Sequence, residues 1–163
     1  MKKIIFIAGL PGVGKSTISR IIAGNNGRIV DIDDFKKVVY KNSPELDPTQ
    51  LDPPEIRWAY YQLAVKHAMS MTADKVVIDE TFHLQVLRGR LEDFCVKLGA
   101  EVEWVHVLCT SETVEKRLRA KARVGHILST DDAIRMHHLF HGIFQRFPKG
   151  KKNLIVVDNN NDD

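Results

Sequence analysis

The chain has 163 residues, 44% of them hydrophobic and 28% charged, with a formal net charge of +3. This length fits one domain that buries roughly 70% of its unfolded surface and needs no staples. Cys95 and Cys109 have neither metal-site spacing nor a disulfide framework, so both read as ordinary buried thiols. Met1-Lys2-Lys3 opens on an apolar stretch too short for a signal peptide, and no run nears the roughly 18 apolar residues of a membrane helix. A soluble cytoplasmic protein is expected. The charge is uneven: residues 114–152 hold ten Lys/Arg against three acids, a basic segment suited to meeting phosphates.

The first element, Ile4–Ala8, is a continuous apolar run of the kind a buried parallel strand needs. It leads into Gly9-Leu10-Pro11-Gly12-Val13-Gly14-Lys15-Ser16-Thr17, a complete G-x-x-x-x-G-K-[ST] loop. Such a loop leaves backbone N–H groups free to face a polyphosphate. Lys15 then reaches the β- and γ-phosphates, and the Ser16 hydroxyl holds Mg²⁺. A helix over Lys15–Ala23 follows, with Ile18, Ile21 and Ile22 as its apolar stripe and its N-terminus toward the phosphates. Strand, loop, helix is the order that confirms a P-loop.

Strand two, Arg28–Ile32, runs into Asp31-Ile32-Asp33-Asp34, and a helix over Asp34–Tyr40 follows with Asp34 as its N-cap. Lys41–Pro54 carries Pro44, Pro48, Pro53 and Pro54 and reads as irregular. In the helix Glu55–Met71, Trp58, Tyr60 and Tyr61 can stack a base, but Tyr61, Val65 and Ala68 fit a core stripe better. Strand Lys75–Asp79 ends in Asp79-Glu80-Thr81. Helix Leu84–Leu98, strand Val102–Leu108, helices Glu112–Arg123 and Asp131–Phe147, and strand Leu154–Val157 complete the series. Gly24 and Gly99 fall at helix C-caps, and Ser129 with Asp132 resembles a capping box. His137 and His141 share a helix face, yet no third ligand accompanies them, so they read as a packed or solvated pair. Residues 1–158 form the single expected domain, and 159–163 a frayed tail.

Alternating strands and helices predict an α/β fold, a parallel sheet with helices on both faces. Ligands then bind beyond the carboxyl ends of the strands, where the loop and the acidic clusters both fall. Phosphoryl transfer needs a phosphate cradle, a metal, a group to take the acceptor's proton, and cations. Asp79, an acid after Val76-Val77-Ile78, is the metal-side candidate beside Ser16. Asp33 is the base candidate, with Asp31 and Asp34 competing. Arg119 and Arg123, four residues apart, lie on one helix face and can close over the nucleotide.

These segments resemble the P-loop kinases of the polynucleotide 5′-hydroxyl kinase type and their zeta-toxin-like relatives. The resemblance rests on the loop at 9–17, on Val30-Asp31-Ile32-Asp33-Asp34-Phe35-Lys36-Lys37, on residues 76–90, and on residues 115–123. It implies a five-stranded sheet of order 2-3-1-4-5 with a helical lid, and ATP with Mg²⁺ as cofactors. It implies Lys15 on phosphate, Ser16 on Mg²⁺, Asp33 as general base, and Asp79 near the metal. It also implies Arg119 and Arg123 as lid arginines on the ATP phosphates, and Arg88 with Lys36 on the acceptor side. Where polynucleotide kinases carry an arginine after the base, this chain has Lys36 and Lys37. Where relatives read Asp-x-Thr-Asn after strand three, it has Asp79-Glu80-Thr81-Phe82. Both departures fall on the acceptor side. The expected activity is transfer of the ATP γ-phosphate to a hydroxyl, either a nucleic acid 5′ end or a small molecule such as a nucleoside, sugar or antibiotic. A nucleotide-binding regulator without catalysis is the remaining alternative. A GTPase switch is disfavoured, because N-K-x-D and D-x-x-G are absent.

Overall fold

The apolar runs become parallel strands. The computed structural model describes residues 1–120 and 129–160. Within them lie β1 (Lys3–Ala8), α1 (Lys15–Ala23), β2 (Arg28–Asp31), α2 (Ile32–Asn42), α3 (Pro54–Ser70) and β3 (Lys75–Glu80). Then come α4 (Gln85–Lys97), β4 (Glu101–Leu108), α5 (Ser111–Ala120), α6 (Thr130–Ile143) and β5 (Leu154–Asp158). The strands form one five-stranded sheet of order β2-β3-β1-β4-β5, as the resemblance implied.

Side chains alternate along β1 and divide the core in two. Ile4, Phe6 and Ala8 pack with Tyr61, Val65 and Leu91 of α3 and α4. Ile5 and Ile7 pack with Ala23, Val114 and Ile134 of α1, α5 and α6. Trp58, Tyr60 and Tyr61 are all buried, so the core-stripe reading of α3 holds and base stacking does not. Register brings the chemistry together: Asp31 lies opposite Asp79, and Ala8, the last residue before the loop, lies opposite Glu80.

Several local expectations change. Helix α2 starts at Ile32, because the Asp31 carboxylate accepts from the Asp33 N–H at 2.9 Å. Asp31 is therefore the N-cap, and Asp34 sits inside the first turn. In α1, Ile21 is 71% exposed, and the inward face includes Ser19 instead. The Ser19 hydroxyl donates to Asp79 Oδ2 at 3.0 Å, which is why a polar residue is buried there.

Helix α6 stops at Ile143, short of Phe147, because the next residues are engaged elsewhere. The Gln145 N–H donates to the His83 carbonyl at 2.9 Å. Arg88 donates to the Gln145 carbonyl from Nη2 and to the Phe82 carbonyl from Nε, each at 2.6 Å. Its guanidinium lies 3.8 Å from the Phe147 ring centre. Asn159 and Asn160, expected in the tail, are also engaged. The Asn159 N–H donates to the Leu108 carbonyl and its Nδ2 to the Val13 carbonyl, both at 2.8 Å.

Candidate active site

The loop between β1 and α1 is shaped by its glycines and pinned from three sides. Gly12 and Gly14 have φ of +85° and +94°, in the left-handed region that disfavours side chains. A Cβ at Gly12 would meet Val114 Cγ1 at 2.6 Å, and one at Gly14 would meet Asn159 Nδ2 at 2.3 Å. The Gly9 N–H donates to the Thr81 carbonyl at 3.2 Å, tying the loop to the end of β3. His137, fully buried on α6, bonds the Pro11 carbonyl through Nδ1 and Ser111 Oγ through Nε2, each at 2.9 Å. A carbonyl only accepts, so Nδ1 carries the proton. Asn159 holds the Val13 carbonyl. With these carbonyls held outward, the loop's N–H groups are left for a ligand.

Lys15 Nζ donates to the Gly9 and Leu10 carbonyls at 2.8 and 2.9 Å. Burial lowers its pKa to about 8, although Asp79 and Glu80 act in the opposite direction. A polyphosphate would supply the missing negative charge.

A cavity of about 740 Å³ opens from the loop toward the proline-rich segment. Of the expected residues, Pro11, Gly12, Gly14, Lys15, Ser16, Thr17, Asp33, Lys36 and Asp79 line it. Gly9, Leu10 and Val13 shape the loop from behind. Arg119 is exposed on α5 and does not line the cavity, whereas Arg117 does. Arg123 lies outside the described residues. Arg88 does not reach the cavity. It is 1% exposed, and its guanidinium is committed to the Phe82 and Gln145 carbonyls and, at 3.0 Å, to Gln85 Oε1. Its position tethers residues 144–147 to α4 and corrects its expected place on the acceptor side.

The far half of the cavity adds Tyr40, Asp52, Arg57 and Glu80 to the expected Asp33 and Lys36. Lys36 Nζ sits 2.6 Å from Glu80 Oε2 and 3.7 Å from Asp33 Oδ1. Burial disfavours the charged form of Glu80, but Lys36, Arg57 and the Lys36 hydrogen bond outweigh it and hold the pKa down to about 2. Burial raises the Asp33 pKa, with Lys36 opposing and Glu80 and Asp31 adding to the rise. Asp52 Oδ2 accepts from the Tyr40 and Tyr60 hydroxyls at 2.7 and 2.9 Å. Arg57 lines the same wall. Arg135 of α6 donates to the Thr49 carbonyl and so fastens the proline-rich segment to α6. The strand-end Asp79-Glu80 pair was visible in the sequence, but only packing reveals that Glu80 faces Lys36.

The residues fit a magnesium ion. The Ser16 hydroxyl is exposed to the cavity, and Asp79 stands opposite Asp31 in register beside it. Among the described residues no cluster of three or more His, Cys, Asp or Glu is arranged to hold a metal alone. Mg²⁺ keeps waters and takes phosphate oxygens alongside one or two protein ligands, a number that Ser16 and Asp79 would meet.

A pinned glycine loop at the carboxyl edge of a 2-3-1-4-5 parallel sheet defines a P-loop NTPase fold. Residues 4–139 match the family described as an AAA domain, and the chain belongs to that family. Among solved structures, it is similar to a gluconokinase from Sinorhizobium meliloti 1021, with 18% identity and a TM-score of 0.66 over 96% of this chain and 82% of that one. It is also similar to a sugar kinase from Janibacter sp. HTCC2649, with 15% identity and a TM-score of 0.70 over 97% of this chain and 86% of that one. At such identities the likeness shows a shared P-loop NTPase fold. Among curated proteins, none matches the sequence.

Proposed function

We propose that this chain is a small-molecule kinase, moving the γ-phosphate of ATP to a hydroxyl of a compact polar acceptor. The observation that carries this reading is the capped far half of the cavity. Tyr40, Pro48, Asp52, Arg57 and Phe140 wall it, and Arg135 holds the proline-rich segment across it. That shape suits a small molecule better than the open basic channel a polynucleotide needs. The mixed lining of carboxylates and cations offers both acceptors and donors to a polyol. Similar folds in a gluconokinase and a sugar kinase point the same way.

The roles follow from position. The loop N–H groups and Lys15 hold the β- and γ-phosphates, with Arg117 at the cavity edge as a further cation. Ser16 and Asp79 would hold Mg²⁺, which when bound neutralises phosphate charge. Asp33 receives the acceptor's hydroxyl proton. The acceptor oxygen forms its bond to the γ-phosphorus as the bond to the bridging oxygen breaks, and ADP leaves with that electron pair. Lys36, fixed by Glu80, keeps a positive charge beside Asp33.

The test is an ADP-release assay with ATP against sugars, sugar acids, nucleosides, aminoglycosides and 5′-hydroxyl oligonucleotides, with Asp33→Asn in parallel. Turnover of a small acceptor that Asp33→Asn abolishes supports the reading. Turnover of oligonucleotides alone overturns it.

A further inference from the structure

Ser19 is a fully buried hydroxyl on α1, at a helix position where alanine has the higher intrinsic preference. Its Oγ stands 2.8 Å from the Lys15 carbonyl and 3.0 Å from Asp79 Oδ2. One hydroxyl proton thus faces two acceptors. The Lys15 carbonyl, at the start of α1, already receives the Ser19 N–H through the helix ladder. Asp79 has no other hydrogen bond among the described residues. The proton is therefore worth more on Asp79, where it meets a carboxylate. Asp79 needs such a hold, because Lys15 attracts its charge while Glu80 and Asp31 repel it.

We propose, resting on the kinase reading, that Ser19 is a positioning residue for magnesium, clamping Asp79 of β3 to the helix that carries Ser16. The two residues that would hold Mg²⁺ stand on different elements, Ser16 on α1 and Asp79 on β3. The Ser19–Asp79 bond joins those elements next to the cavity. It also fixes which carboxylate oxygen stays open: Oδ2 is engaged, and Oδ1 has no partner among the described residues. Mg²⁺ demands near-ideal octahedral geometry, so a carboxylate free to rotate would hold it poorly, whether directly or through a water. Groups that hydrogen-bond a ligand from behind commonly set metal affinity in this way. In this role Ser19 touches neither nucleotide nor acceptor, and acts through Asp79.

The experiment measures metal binding with no acceptor present. Mn²⁺ stands in for Mg²⁺, and its binding to the protein with ADP is read from the electron paramagnetic resonance signal of the free ion. Nucleotide affinity in EDTA is titrated in parallel. Ser19→Ala removes one oxygen at a position that suits alanine, so the fold is kept. It is expected to weaken Mn²⁺ binding by about 10- to 100-fold, while metal-free ADP affinity changes by less than about twofold. In an Asp79→Ala background the same substitution is expected to change Mn²⁺ binding by less than about twofold, because its effect runs through the carboxylate. Unchanged Mn²⁺ affinity in Ser19→Ala, an equal loss in the Asp79→Ala background, or a parallel loss of metal-free ADP affinity overturns the proposal and leaves the kinase reading standing. Wild type that binds neither ADP nor Mn²⁺ overturns the kinase reading, and the role of Ser19 falls with it.

Discussion

Asp33 and Glu80 are both carboxylates on one cavity wall, and their surroundings drive them apart. Burial lifts the Asp33 pKa, whereas Lys36 and Arg57 overcome burial at Glu80 and bring it to about 2. In the proposed reaction the first takes the acceptor's proton and the second stays a fixed counterion. Asp33→Asn is therefore expected to lower kcat by roughly 1,000-fold with little change in ATP affinity, as separate kinetic and binding titrations would show. The acid limb of wild-type kcat/KM should lie above the ordinary carboxylate range and vanish with that substitution. Glu80 has the opposite signature. Its pKa falls on folding from 4.5 to about 2, so its stabilisation is complete above pH 4.5 and is lost as the pH drops from there toward 2. Glu80→Gln should cost roughly 3 kcal/mol at neutral pH by leaving Lys36 and Arg57 undercompensated. Denaturant titrations should show the gap to wild type closing as the pH approaches 2.

At the level of elements, polar side chains secure the joints between secondary structures. Arg88 ties α4 to the chain after α6 through two carbonyls and the Phe147 face. Arg88→Gln should lower stability by roughly 3 kcal/mol, or about 6–12 °C in Tm, by orphaning both carbonyls. Arg88→Lys should rescue little of it, because one ammonium cannot reproduce the fork. The family resemblance put Arg88 on the acceptor side, at a position after the second acidic motif. One of its partners, the Gln145 carbonyl, lies 57 residues away, a distance that no local pattern encodes. The P-loop and the core stripe of α3 were legible because spacing and periodicity are local properties, whereas the strand order came from the family resemblance. Asp31 displaced Asp34 as the N-cap because capping turns on where the backbone leaves the extended region, which aspartates at 31, 33 and 34 leave undetermined. Arg57 went unnoticed as a cavity residue because, read along the chain, it belongs to a helix.

For the whole molecule, charge distribution argues against a nucleic acid groove. Among the described residues, three cations of the basic segment go to separate tasks: Arg117 lines the cavity, Arg135 grips the Thr49 carbonyl, and Lys151 pairs with Glu92 at 2.6 Å. A 20-nucleotide strand should therefore show no steep loss of anisotropy signal with salt, because few phosphates are neutralised together. Among the described residues no helix is long and apolar enough to cross a membrane. One feature also bears on the order in which the molecule is made. The nucleotide loop is near the start of the chain, yet Asn159 holds its Val13 carbonyl across 146 residues. The loop thus leaves the ribosome well before the residue that completes its working shape. A stalled nascent chain would bind ATP only after residue 159 had cleared the exit tunnel.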